Sequence, residues 1–177
     1  MGLAQWRAAP QLSATRNRSR RLPYLAERSA GILFYRRDAG GLSVLLVHPG
    51  GPFWRRRDVG AWQIPKGGIE EGEEPAAAAR REAQEELGVA VTGALEDLGE
   101  VRQSGGKRVQ AFAVAQDIDA DAIASNGFDL EWPPRSGRIQ TFPEVDAARW
   151  FGVEQAREMM LVSQRPLLDR LVELSEA

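Results

Sequence analysis

The chain has 177 residues, 43% of them hydrophobic, a length that suits one domain with a sizeable core and is short for two. A formal charge of −2 and a pI near 5.6 supply no overall basic field, so nucleic acid or an anionic membrane is not the default partner. With no cysteine, disulfides, thiolate metal sites and cysteine nucleophiles are excluded, and with one histidine, His48, so is a multi-histidine metal centre.

Residues 1–28 lack a sustained apolar period and carry six arginines, Arg7, Arg16, Arg18, Arg20, Arg21 and Arg28, against Glu27 alone. They read as a basic extension, with an organelle-targeting peptide as the alternative, and residues 29–177 as the folded domain. No apolar run is long enough to span a bilayer and no signal-peptide stretch follows the start, so the expectation is a soluble cytoplasmic protein without membrane contact. The oligomeric state is open, a homodimer included.

Residues 30–35 and 42–47 are β-rich runs on either side of Asp38-Ala39-Gly40-Gly41, the pattern of a hairpin. Their nearly continuous apolar character points to strands covered on both faces, within a sheet that carries helices on either side. Pro49-Gly50-Gly51-Pro52 ends the second strand. A loop at 53–58 then mixes Trp54 with Arg55, Arg56 and Arg57, and His48 just before it is expected to be structural. A short strand at 61–64 and a glycine-rich loop at 66–72 follow. Pro75 fits a first helical turn, and a helix is expected to run to Leu87, where Gly88 stops it.

Strands are expected at 89–91, 95–103 and 108–115, the last two joined by a turn at Ser104-Gly105-Gly106-Lys107. Residues 117–143 show weak periodicity and contain Trp132-Pro133-Pro134, so they are expected to form a long connection. A short strand at 148–151 and helices at 153–160 and 165–176 complete the chain.

On the helix at 75–87, Glu82, Glu85 and Glu86 stand at i, i+3 and i+4 and project from one face. Ala76, Ala79, Ala83 and Leu87 form a neighbouring stripe, small enough to pack closely on a sheet. Carboxylates clustered in this way repel unless cations neutralise them. Oxygen-only ligation suits Mg²⁺, with Mn²⁺ as the substitute. Hydrolysis of a diphosphate then needs charge neutralisation, an acidified water and a carboxylate to take its proton. A solvated Glu-rich face is the ordinary alternative for such a helix.

The spacing changes the odds. Residues 67–89 match Gly-x5-Glu-x7-Arg-Glu-U-x-Glu-Glu-x-Gly-U, with U apolar, at every fixed position: Gly67, Glu73, Arg81, Glu82, Glu85, Glu86 and Gly88. At average residue usage a chance match in one such chain is on the order of one in a million. The chain therefore resembles the Nudix hydrolases, with Ala83 a small residue at the first U position. The resemblance implies an α/β fold, an α/β/α sandwich with a mixed sheet, and divalent-metal-dependent hydrolysis of a nucleoside diphosphate linked to another group. It matches Glu82, Glu85 and Glu86 to metal-binding carboxylates, Gly67 to a carbonyl ligand, and Glu73 with Arg81 to an ordering pair. Glu85 is the candidate for the water-activating base. Glu144 is the candidate for an extra carboxylate near the metals, since members often supply one from that region.

Trp62-Gln63-Ile64-Pro65-Lys66-Gly67 is similar to the opening found in members that hydrolyse dinucleoside polyphosphates or inositol pyrophosphates. The tyrosine that often follows the box in dinucleoside polyphosphate hydrolases has no counterpart at Gly105-Gly106. Lys66, Arg55, Arg56 and Arg57 are candidate phosphate contacts, and Trp54 and Trp132 candidate stacking partners for a base. The expected substrate is a small nucleotide, a dinucleoside polyphosphate ahead of a nucleoside triphosphate. A non-catalytic nucleotide sensor and an RNA 5′-end pyrophosphohydrolase remain as alternatives.

Overall fold

The computed structural model describes residues 28–176, so the extension read at 1–28 lies outside the described residues except for Arg28, which begins the first strand. Strands β1 (Arg28–Asp38) and β2 (Gly41–Pro49) form the expected hairpin, and the Asp38 carboxylate accepts the Gly40 N–H at 2.8 Å to close its turn. Strand β3 (Lys66–Gly68) precedes helix α1 (Pro75–Leu87). Then come β4 (Glu96–Arg102), β5 (Arg108–Ala115), β6 (Gly127–Glu131), β7 (Ile139–Pro143), β8 (Val145–Gly152), α2 (Val153–Met159) and α3 (Pro166–Glu176).

The main sheet is six-stranded in the order β4-β5-β1-β2-β8, with β3 also paired to β1. Only β1 and β5 run parallel, so the sheet is mixed, as expected. Side chains alternate across it. Ala30, Ile32, Phe34, Leu45 and Val47 face the layer formed by Ala78, Ala79, Ala83 and Leu87 of α1. Leu33, Val44, Leu46 and Phe151 face the other layer, where Ala156 and Met159 of α2 and Leu167, Leu168 and Leu171 of α3 close the core. Each fully buried leucine of α3 contributes about 1.5–3 kcal/mol by leaving water. The sandwich of helices about a mixed sheet is the predicted fold class.

Four elements differ from expectation. Residues 61–64 make isolated bridges, Gln63 with Val47 and Trp62 with Met160, instead of a strand. The strand lies further on, at β3, in what reads as a glycine-rich loop. Past Tyr35 and Val44 the registers of β1 and β2 part, and the chain at 62–68 enters the gap, Val47 N–H donating to Gln63 O at 2.8 Å and Ile32 N–H to Pro65 O at 3.1 Å. Residues 89–91 form no strand, because their polar backbone is met by side chains. The Arg80 guanidinium donates to Val91 O at 2.6 Å and to Gly93 O at 2.9 Å, and the Gln116 amide donates to Ala90 O at 2.9 Å. Residues 117–143 are not one irregular connection, for they contain the antiparallel hairpin β6–β7, in register from Gly127 opposite Pro143 to Glu131 opposite Ile139. Finally, β8 extends the strand expected at 148–151 by several residues at its start, since Val145 pairs across a bulge with Pro49.

Candidate active site

Helix α1 begins at Pro75, whose missing N–H costs nothing in a first turn, and ends where Gly88 takes the left-handed conformation, φ 71°, and donates its N–H to Gln84 O at 2.9 Å. These two residues fix which face meets the sheet. Ala78, Ala79 and Ala83 let the backbone approach closely, and Glu82 shares that buried face at 8% exposure. The approach is tightest at Gly67 of β3, where a Cβ would collide with the Glu82 carboxylate.

Arg81 organises the acidic side of the helix. Its Nε and one terminal nitrogen bond the two Glu73 oxygens at 3.0 Å each, the two-pronged geometry that carboxylates prefer. The same terminal nitrogen donates to Gly68 O at 2.8 Å, and the other reaches Glu82 at 2.7 Å and Glu85 at 3.3 Å. The guanidinium thus ties the loop after β3 to α1. The Arg81 bonds, and then the Glu70 N–H, hold the Glu73 carboxyl down at about 2. Glu73 in turn raises Arg81 above its ordinary value.

The other carboxylates are held the opposite way. Burial raises Glu82 above the usual carboxylate range, against the pull of Arg81, and the charges of Glu85 and Glu144 add to the rise. Glu86 accepts the Lys66 backbone N–H at 2.9 Å. Burial nevertheless pushes it up to about 7, the Lys66 charge and hydrogen bond opposing and Glu82 and Glu144 reinforcing. Glu144 acts on both neighbours from the junction of β7 and β8, where its N–H donates to Asn126 O at 2.8 Å and its carbonyl accepts the Gly50 N–H at 3.0 Å.

Glu73, Arg81, Glu82, Glu85, Glu86, Glu144, Lys66 and Gly67 therefore come together as the sequence suggested. Among the described residues, no three His, Asp or Glu side chains are arranged to hold an ion directly, Glu82 and Glu85 being turned to Arg81. The donor set is nonetheless hard oxygen throughout, and two of its carboxylates, Glu82 and Glu86, are pushed towards protonation by burial and by neighbouring carboxylates. That chemistry fits a divalent cation such as Mg²⁺.

The remaining candidates lie in a separate region. Arg55, Arg56 and Arg57 are exposed on the loop after β2, with the Arg57 guanidinium 5.6 Å from the Trp54 ring centre. Trp132 follows β6 and meets Phe53 edge to face at 5.4 Å. Phe53, beside the candidate Trp54, carries no signal in the sequence that it meets Trp132. Asn126 was missed as well; its N–H donates to Glu85 O at 3.0 Å, and nothing in the local sequence signals that contact. His48, expected to be structural, is buried against Trp62 and its Nε2 lies 2.6 Å from Arg57 O. Gln164, also missed, is fully buried and accepts the Ile64 N–H at 2.9 Å.

Comparison with known proteins agrees with this geometry. A family model described as the NUDIX domain matches residues 25–171. An RNA pyrophosphohydrolase of Acidiphilium cryptum (strain JF-5) is 31% identical over 136 residues, covering 66% of this chain and 76% of that protein. Another from Rhodospirillum rubrum is 30% identical over 165 residues, covering 81% and 88%. Among solved structures, an Ap4A hydrolase of C. elegans in a binary complex superposes with a TM-score of 0.60 at 20% identity, covering 84% of this chain and 98% of that one. The NUDIX domain of Shewanella oneidensis NrtR, complexed with ADP ribose, gives 0.60 at 17% identity, covering 86% and 90%. At such identities the structural likeness speaks for the fold alone.

Proposed function

The chain belongs to the Nudix family, and on that premise we propose that it is a metal-dependent pyrophosphohydrolase that cleaves a phosphoanhydride bond in a nucleoside polyphosphate or dinucleoside polyphosphate. The observation that carries this reading is the ring of carboxylates Glu82, Glu85, Glu86 and Glu144 around β3, two of them, Glu82 and Glu86, raised by burial and by the charges of neighbouring carboxylates. Such a ring is costly to the fold and suited to a cation-assisted reaction.

Glu82 and Glu86, with the Gly67 carbonyl and help from Glu85 and Glu144, would hold Mg²⁺ or Mn²⁺. The ion supplies neutralisation of diphosphate charge and a lower pKa for water. The Glu85 side chain is 41% exposed against 11% for Glu82, which suits it to take the proton from an attacking water. The water oxygen forms a bond to one phosphorus, the anhydride P–O bond breaks, and the proton passes to a Glu85 Oε. Lys66, Arg55, Arg56 and Arg57 would meet the departing phosphate charge, with Trp54 or Trp132 stacking on a base. Arg81 and Glu73 position the loop and leave the chemistry to their neighbours.

The test is product identification across a nucleotide panel with Mg²⁺ or Mn²⁺, beside Glu85→Gln. Loss of the base should lower turnover about 10²- to 10⁴-fold while the fold survives. Unchanged turnover would remove Glu85 from this role, and no cleavage anywhere on the panel would remove the enzymatic reading. A second reading, an RNA 5′ end as substrate, is favoured by the curated relatives named RNA pyrophosphohydrolase.

A further inference from the structure

Residues 124–126 fasten the two carriers of the carboxylates to one another. A helix leaves its last carbonyls without donors of its own. At the end of α1, Glu85 O accepts the Asn126 N–H and Leu87 O the Ala124 N–H, at 3.0 Å each. The approach is close, since a Cβ at Gly88 would lie 3.2 Å from the Ala124 Cβ. On its other side the same segment holds the junction of β7 and β8. The Glu144 N–H donates to Asn126 O at 2.8 Å. Where β8 shifts register against β2, the N–H of the next residue, Val145, donates to Ser125 Oγ at 3.0 Å. The Ser125 hydroxyl donates in turn to Asn126 O at 3.1 Å, the oxygen that receives Glu144.

The peptide groups on both sides of Glu144 are thus bound to the segment that closes α1. The Glu144 carbonyl also accepts the Gly50 N–H at 3.0 Å, and a Cβ at Gly50 would collide with Pro143 O, so the loop after β2 leaves the junction no room to back away. Glu82, Glu85 and Glu86 take their mutual spacing from the helix itself. Glu144 stands outside α1, and its spacing from them depends on these bonds. All but two are made by backbone groups that any residue in the same conformation supplies. The two exceptions belong to the Ser125 hydroxyl, so this is the position where the identity of a side chain decides the geometry.

Resting on the metal-dependent hydrolase reading above, we propose that Ser125 is a positioning residue for Glu144, its hydroxyl setting where that carboxylate stands against Glu82 and Glu86 and so how tightly the ring holds a divalent ion. Ser125 acts through Glu144 alone. Alanine in its place would leave the Val145 N–H, at a residue 4% exposed, without its acceptor, and the peptide that follows Glu144 would turn to find another. Threonine keeps the oxygen and both bonds.

The test uses the full chain with Mn²⁺ as the probe and no nucleotide, free ion being read from its paramagnetic resonance signal. Native protein is compared with Ser125→Ala, Glu144→Gln, the two combined, and Ser125→Thr, each shown to be folded by its unfolding midpoint in EDTA. Ser125→Ala should weaken Mn²⁺ binding about 10-fold, the low end for a group that orients a ligand. Glu144→Gln should weaken it by about 10-fold or more. Adding Ser125→Ala to Glu144→Gln should then change the Kd by less than about 2-fold, because the hydroxyl has no carboxylate left to place. Ser125→Thr should bind as the native chain does. Ser125→Cys, close in shape with a far weaker acceptor, carries the same comparison if the alanine variant does not fold. Equal weakening by Ser125→Ala in both backgrounds, the result of a role in stability only, overturns the proposal, as does native affinity in Ser125→Ala or in Glu144→Gln; each leaves the hydrolase reading standing. A native chain that binds no Mn²⁺ removes both.

Discussion

Glu86→Gln should make the metal-free protein more stable at neutral pH while abolishing its activity. Glu86 sits at about 7 in the folded chain against an ordinary value of 4.5. Below pH 4.5 the group is protonated in both states and contributes nothing. Between 4.5 and 7 the folded chain holds a proton that the unfolded chain has released, so stability falls as pH rises, and above 7 the loss is complete. The difference, 7 − 4.5 = 2.5 units at about 1.36 kcal/mol each, comes to about 3 kcal/mol. The substitute amide can still accept the Lys66 N–H but leaves its NH₂ to be satisfied, which trims the gain to about 1–3 kcal/mol. At this chain length that is a rise of about 2–10 °C in midpoint temperature at pH 8. Thermal or urea unfolding in EDTA at pH 4 and pH 8 measures it, and the two proteins should converge at pH 4. Parallel pH dependence in both would refute the reasoning. Adding Mg²⁺ should raise the native midpoint far more than that of the variant, because only the native ring keeps its full ligand charge.

Three further outcomes are expected. Gly67→Ala puts a methyl into the Glu82 carboxylate and should cut turnover about 10- to 100-fold through displaced ligation, with a weaker apparent Mg²⁺ affinity in activity titrations. Arg81→Lys cannot span both Glu73 oxygens, so the Glu73 carboxyl should rise from about 2 towards the ordinary range in an NMR titration, with kcat falling more than KM rises. Gln164→Leu removes the acceptor of the buried Ile64 N–H and should lower stability by about 1–3 kcal/mol in urea, reduced by the loss of a buried Nε2 that has no partner of its own.

What could be read in the sequence was punctuated locally. Pro75 and Gly88 delimit α1, and β5 keeps the limits that its apolar run and the preceding Gly105-Gly106 turn suggest. Strand β3 has three residues, two of them glycine, and exists because β1 and β2 part to receive it, a long-range event with no local period. The expected strand at 89–91 shows the converse: β-branched residues whose carbonyl partners turn out to be an arginine and a glutamine side chain. Strand β6 alternates Phe128 and Leu130 with Asp129 and Glu131, but five residues followed by Trp132-Pro133-Pro134 are too short a period to part a strand from the connection expected at 117–143. Within the site, the helix carboxylates follow from spacing. Glu144 came from family resemblance alone, because its approach depends on how β7 enters β8. Phe53 meeting Trp132 required two segments far apart in sequence to converge.

The charge balance at β3 gives one more step. Five carboxylates, Glu73, Glu82, Glu85, Glu86 and Glu144, interact there with two cations, Arg81 and Lys66, a difference of 5 − 2 = 3 negative charges when all are ionised. Arg81 is fully committed, bonded to three of those carboxylates and to Gly68 O. A proton on Glu86 lowers the excess to two, which is the state that its value near 7 favours at mildly acidic pH. The residual charge can be relieved by further protonation or by one divalent ion, and on the proposed mechanism only the ion keeps the carboxylates ionised. Monovalent cations would neutralise half as much per site and be held more weakly among the same oxygens. Arg81 thus does not substitute for the ion. It pairs with Glu73 and fixes the loop, and by reaching Glu82 and Glu85 it keeps a cluster that would otherwise repel close enough to act together.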